Sequence, residues 1–235
     1  MQRSPAGWVH ALVGWPIYAL FTALLGLGIA VGALLDRSGR LASAALGFFW
    51  GRALWVFQPF WRRRFTGLER VGPGPYVVVA NHQSVIDIPC LFGLPLPVRV
   101  SARPGIFRVP VMGPFLRWSR QVDTDRFIEE AEASLRAGYS VVVFPEGSRS
   151  PDGSVHRFRK GAFELATRTG TPILPVAMDG AQHILSKRGF VPDRLVVDVH
   201  AHVLPPVTPH GDPKDLAREV RGLVEAEVQR IRGVP

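Results

Sequence analysis

Hydrophobic positions along the chain change their spacing from one region to the next, and each spacing predicts a different element. From Ala11 to Leu35 there are 25 residues without a charge. At about 1.5 Å rise per residue, a helix of that length exceeds the ~30 Å hydrocarbon core of a bilayer and could span it with tilt. A cleaved signal peptide is the competing reading, but the run exceeds the usual ~7 to 15 residues and no clean small-x-small site comes after it. Leu41 to Trp61 is also apolar and aromatic, with Arg52 near its middle. It could span only with Arg52 facing protein or snorkelling, so an interfacial or re-entrant helix is an equal expectation. Trp50, Trp55 and Trp61 would suit the headgroup region, and Arg62, Arg63 and Arg64 would hold the rest of the chain on the cytoplasmic side.

Beyond Phe65, short valine-rich runs alternate with helical spacing. "PYVVVA", "PVRVSA", "SVVVFP" and "TPILPVAM" predict buried strands. Ser84 to Phe92, Arg126 to Ala137 and Phe158 to Thr169 predict helices closed by Gly93, Gly138 and Gly170. "RLVVDVHAHVLPPV" alternates with period two, as a half-exposed antiparallel or edge strand does. Leu216, Val220, Leu223, Val224, Val228 and Ile231 form the stripe of a last helix from Pro213 to Arg232. The expected architecture is α/β: a mixed, largely parallel sheet flanked by helices, preceded by a membrane helix or two-helix membrane motif. Residues 1–61 would form the membrane-anchoring segment and residues 62–235 one catalytic domain.

Composition narrows the partner. The 28 Lys plus Arg exceed the 19 Asp plus Glu, for a formal net charge of +9, so an acidic partner is expected: nucleic acid, anionic membrane or a phosphorylated substrate. The apolar N-terminal run favours the membrane, and no nucleic-acid motif is present. The single cysteine, Cys90, cannot form an internal disulfide, in keeping with a reducing compartment.

Two strand-like runs end in polar residues that a buried strand would not choose: "VVVANHQSVIDIP" and "VVVFPEGSRS". In the first, Asn81 is a good helix cap, and His82 would stand at the mouth of a strand-to-helix turn. Asp87 lies five residues later, a poor spacing within one regular helix, workable if the turn is irregular. His82 and Asp87 then form either a proton-abstracting pair or a capping Asp beside an exposed His. In the second, Pro145 and Gly147 force a turn that presents Glu146, Ser148 and Arg149, with Arg159 and Lys160 within reach. That loop is either a phosphate cradle or a surface ion pair. His200 and His202 lack clustered ligand partners and are expected at the surface.

"NHQSVID" resembles the NHxxxxD motif, and "FPEGSRS" the FPEGTRS motif, of the PlsC-like glycerolipid acyltransferases. "ARPGIFRVPVMG…VDTDR" is similar to that family's second block and "TPILPVAM" to its fourth, in the same order over about Phe65 to Gly180. The resemblance implies His82 as general base, Asp87 as its orienting partner, and Glu146, Gly147, Ser148 and Arg149 on the glycerol phosphate, assisted by Arg103, Arg126 and Lys160. Arg103 stands for the family's usual Lys, Ser148 for its Thr and Gly105 for its Glu. It also implies acyl-CoA or acyl-carrier protein as acyl donor, a lysophospholipid acceptor, no metal or other cofactor, and residence at the inner membrane with the catalytic domain on the cytoplasmic side. Acylation of 1-acyl-glycerol 3-phosphate is the first expectation. The alternatives are another lyso-lipid acceptor, or a membrane-tethered lipid-binding protein without turnover.

Overall fold

The computed structural model describes residues 5–110, 112–185 and 191–233. The apolar N-terminal run is one helix, α1 (Pro5–Leu35), succeeded by α2 (Arg40–Phe48), a π-helical turn (Phe49–Ala53) and the single turn α3 (Leu54–Phe57). Among the described residues α1 alone is long and apolar enough to cross a membrane. Helix α2, the π-helical turn and α3 follow one another without a break from Arg40 to Phe57, with Arg52 exposed.

The remainder runs β1 (Trp61–Thr66), β2 (Val77–Ala80), α4 (Asp87–Leu91), β3 (Val98–Ala102), α5 (Pro104–Phe107), α6 (Met112–Trp118), β4 (Val122–Asp123), α7 (Phe127–Arg136), β5 (Ser140–Val143), α8 (Gly161–Thr169), β6 (Ile173–Asp179), β7 (Val197–Val203) and α9 (Pro213–Arg232). The seven strands form a sheet in the order β1-β7-β6-β2-β5-β3-β4. Every pairing is parallel except β6 with β7. The mixed, largely parallel α/β architecture is therefore as the sequence pattern predicts.

The valines of β2 alternate between two cores, which is why that strand reads as a continuous apolar run. Val78 and Ala80 pack with Leu25, Ile29, Leu46 and Leu54 of the N-terminal helices, whereas Val77 and Val79 pack with Phe163, Leu165, Val220 and Val224 of α8 and α9. The N-terminal helices thus share one core with the sheet. Close approach is built into α1: a Cβ on Gly26 would stand 2.7 Å from the Phe115 ring.

Several expectations are corrected. Trp61 opens β1 and is buried, as is Trp55, so both rings are covered by protein rather than exposed. Strand β1 was hidden by its arginines. Arg62 and Arg64 face solvent, while Arg63 turns inward, donates to the Gly51 carbonyl at 2.5 Å and lies over Trp55 and Phe65. Strand β7 is antiparallel to β6 but not an edge, because β1 covers its other side. His202 is consequently buried, within 2.5 Å of Thr66 Oγ1 and 2.9 Å of an Arg70 nitrogen. The helix expected from Ser84 begins at Asp87. Asn81 does not cap it: its amide pairs with the Met178 backbone, Nδ2 donating to the carbonyl at 2.9 Å and Oδ1 accepting the N–H at 2.8 Å. A fully buried amide needs both partners, and the adjacent β6 supplies them.

Candidate active site

Val79 of β2 stands opposite Val143 of β5 in a parallel register. The segments after these strands therefore leave neighbouring positions at the same sheet edge, where open α/β sheets commonly bind ligands. They are residues 81–87 and 144–149.

The turn after β2 is irregular in the way the His-Asp spacing requires. Asp87 Oδ2 is 2.8 Å from His82 Nδ1 and accepts the backbone N–H groups of Gln83 and Ser84 at 2.7 and 2.8 Å. Asp87 thus does both things that the sequence left open: it caps its own turn and holds the imidazole. Because a carboxylate accepts, the proton sits on Nδ1 and Nε2 keeps a free lone pair. The Phe144 ring stacks on the imidazole, centroids 4.0 Å apart and 21° between planes, closing one face of it.

The second exit is tied to the first through the backbone. Ser150 N–H donates to the His82 carbonyl at 2.7 Å, and His82 N–H points at Glu146 Oε1 at 3.4 Å. Glu146 is buried, and its Oε2 has no hydrogen-bond partner among the described residues. Burial pushes its carboxyl up to about 7, against the pull of the His82 and His156 backbone N–H groups.

Gly147 (φ +72°) makes the turn in the left-handed region. Two guanidinium groups reach it. Arg103 donates to its carbonyl, and a Cβ on Gly147 would stand 2.8 Å from Arg159 Cζ. Arg149, two residues on, makes no hydrogen bond or ion pair among the described residues. Ser148 is exposed beside it. By contrast, Arg126 is held by Glu129 (2.9 Å) and Glu130 (3.4 Å), and Lys160 by Glu164 (2.5 Å). The fold therefore gathers His82, Asp87, Arg103, Glu146, Gly147, Ser148 and Arg149 at one edge, while Arg126 and Lys160 are engaged by carboxylates of the helices they immediately precede, α7 and α8. Sequence reasoning undervalued Arg159 and missed Phe144 and Gln83, although both of the latter lie inside the quoted motifs. Gly105 is exposed, and a Cβ there would meet nothing within 4 Å, so no steric demand explains it.

The family model described as "Acyltransferase" matches residues 62–179. The chain belongs to that acyltransferase family. It is 35% identical over 163 residues to a chloroplastic 1-acyl-sn-glycerol-3-phosphate acyltransferase of Brassica napus, covering 65% of this chain and 46% of that protein. A 1-acyl-sn-glycerol-3-phosphate acyltransferase of Chlamydomonas reinhardtii is 28% identical over 208 residues, 83% of this chain and 60% of that protein. The chain spans about half the length of such curated relatives. The crystal structure of the 1-acyl-sn-glycerophosphate acyltransferase PlsC from Thermotoga maritima superimposes with a TM-score of 0.82 at 26% identity, covering 96% of each chain.

Proposed function

We propose that this protein transfers a fatty acyl group from acyl-CoA or acyl-carrier protein to the free hydroxyl of 1-acyl-glycerol 3-phosphate, giving phosphatidic acid. The observation that carries the reading is the His82–Asp87 pair at 2.8 Å, set beside a glycine turn that Arg103 and Arg159 reach and Arg149 follows. The names of the relatives support it.

In the proposed reaction, His82 Nε2 takes the proton of the acceptor hydroxyl while that oxygen attacks the thioester carbonyl carbon. A C–O bond forms, the C–S bond breaks, and the imidazolium returns its proton to the departing thiolate. Asp87 fixes the tautomer and stabilises the imidazolium throughout. Arg149, Arg103 and Arg159 hold the phosphate, guanidinium being suited to bidentate contacts with its oxygens. No metal or other cofactor takes part in this scheme.

The same reading includes a membrane-bound enzyme at the cytoplasmic face of the inner membrane. Helix α1 buries one face along its whole length, from Gly7 and His10 to Ile29 and Gly32, and exposes Leu12, Leu27 and Leu34 on the other. If α1 crossed the bilayer it would draw the sheet in with it, whereas lying along one leaflet satisfies both faces.

The test is a set of initial rates in mixed micelles with three acceptors. The anchored acceptor presents its phosphate at the membrane surface, so 1-acyl-glycerol 3-phosphate should show a much higher kcat/KM than glycerol 3-phosphate. A lysophospholipid with a substituted phosphate should be slower. Preference for either of the latter two would overturn the assignment of acceptor.

A further inference from the structure

Asp179, the last residue of β6, is a junction that the acyl-transfer scheme does not use. Its Oδ1 accepts from Arg232 Nε at 2.8 Å, from an Arg232 terminal nitrogen at 2.6 Å, from Gln83 Nε2 at 3.1 Å and from Gln182 Nε2 at 3.4 Å. Arg232 is in the last turn of α9. The same two donors, Arg232 and Gln83, also reach the Gly153 carbonyl, at 2.8 and 3.2 Å. Gly153 lies at φ +80°, and a Cβ on it would stand 2.7 Å from the Arg232 terminal nitrogen, so the backbone there is shaped to let the guanidinium in.

Gln83 is fully buried and immediately succeeds His82. Its backbone N–H holds Asp87 at 2.7 Å while its side chain holds Asp179 and Gly153. One residue therefore connects the His-Asp pair to the junction. The 150–154 loop, which continues from Arg149, is fastened at both ends: Ser150 N–H to the His82 carbonyl, and Gly153 O to Gln83 and Arg232. Between those ends Asp152 Oδ1 accepts from Ser150 Oγ (2.8 Å), Ser154 N (3.0 Å) and Ser154 Oγ (2.7 Å), folding the loop on itself.

A charged pair is a costly way to fasten a helix end if stability alone is served, since an ion pair at a partly exposed position contributes little. The Asp179–Arg232 pair has side-chain exposures of 16% and 29%, and it is directional: its planar fork spans two acceptors on two different segments. We infer that Asp179 and Arg232 are positioning residues, which lock the His82 turn in register with the Arg149 loop by clamping Gln83 and Gly153 from the end of α9. This rests on the acyl-transfer reading of the site. Small misplacements of a general base are expensive, and that cost falls on turnover rather than on acceptor capture.

Four purified proteins test the clamp: Arg232→Met, Arg232→Lys, His82→Ala and the His82→Ala/Arg232→Met double variant, each assayed per folded enzyme with 1-acyl-glycerol 3-phosphate. Arg232→Met should lower kcat about 10-fold with acceptor KM within about twofold, and Arg232→Lys, which keeps the charge and can reach one acceptor, should recover part of the loss. In the His82→Ala background the Arg232→Met change should cost almost nothing, because its effect passes through the imidazole. An equal loss in both backgrounds, or a lower Tm with unaltered kcat, would overturn the proposal. A readout independent of turnover separates this outcome from failure of the functional reading. The imidazole Nδ1–H proton resonance of His82, assigned by its disappearance in His82→Ala, should broaden or move in Arg232→Met and return toward the parent position in Arg232→Lys. A resonance unmoved in both would also overturn it, whatever substrate the enzyme prefers.

Discussion

At the exit of β2 most polar groups of residues 81–84 and 87 find their partners inside the protein. At the exit of β5 the guanidinium groups around Gly147 are left with lone-pair acceptors or with nothing. Asn81, Gln83, Ser84 and Asp87 are all fully buried and each makes hydrogen bonds within the protein, although Gln83 Oε1 and Asp87 Oδ1 have no partner among the described residues, and the Nε2 edge of His82 is left for substrate. Arg149 has no acidic partner among the described residues, and neither do Arg103 and Arg159. A proton-transfer group gains from a fixed tautomer and direction, whereas an anion site must leave its cations unneutralised until the anion arrives. One exit is organised before substrate binds; the other is completed by it.

The largest effect expected from this contrast is at His82. His82→Ala should lower kcat about 10² to 10⁴-fold with acceptor KM little changed, measured by steady-state kinetics on protein whose fold is checked by circular dichroism. Asp87→Asn should also act on kcat, since it loosens the ring and removes the charge that stabilises the imidazolium.

Next in size are the cations of the second exit. Arg149→Ala should raise acceptor KM about 10- to 100-fold, the equivalent of about 1.5 to 3 kcal/mol for charge-assisted hydrogen bonds. Arg149→Lys should rescue only part of that, because an ammonium lacks the fork. Arg159→Ala should raise KM in the same direction. If these substitutions moved kcat alone, the division of labour between the exits would be wrong.

Glu146 lies where the exits meet and adds a pH signature. Burial raises its carboxyl to about 7, so between the ordinary carboxylate range and about 7 the folded protein keeps a proton that the unfolded chain has lost. Stability contributed by this group is then full at low pH and is lost as pH rises through that window. Glu146→Gln, which stays neutral, should gain Tm over the parent between about pH 5 and about pH 8 and match it below. A constant difference across that range would count against a buried, protonated Glu146. The smallest effects should come from Arg126→Ala and Lys160→Ala, whose exposed ion pairs contribute little: less than about threefold on KM. A larger loss would return these two cations to the phosphate site.

The cores and the chemistry were legible in the sequence to different degrees. Buried parallel strands announce themselves as valine runs, and the stripe of α9 fixed its limits from Pro213 to Arg232. Strand β1 was not legible because "WRRRFT" carries its burial in Trp61 and in an inward-turned Arg63, which alternation rules score as polar. His202 looked exposed because nothing local reports that β1 and α9 would cover it. At the site, His82 and Asp87 could be found as a pair, but not the turn that joins them, since its hydrogen bonds run from backbone to side chain. Arg103 reaching Gly147, and Arg232 reaching Asp179, span 44 and 53 residues of sequence; such contacts are set by tertiary packing, and no local pattern carries them.

Acyl transfer through His82 is tested most directly by one measurement: incorporation of a labelled acyl group from acyl-CoA into phosphatidic acid by the purified, detergent-solubilised protein supplied with 1-acyl-glycerol 3-phosphate, run beside His82→Ala. Labelled phosphatidic acid should accumulate with the parent protein, depend on added acceptor, and fall at least about 100-fold in rate with the variant. Comparable incorporation by folded His82→Ala, or none by the parent with either acyl-CoA or acyl-carrier protein as donor, would contradict it.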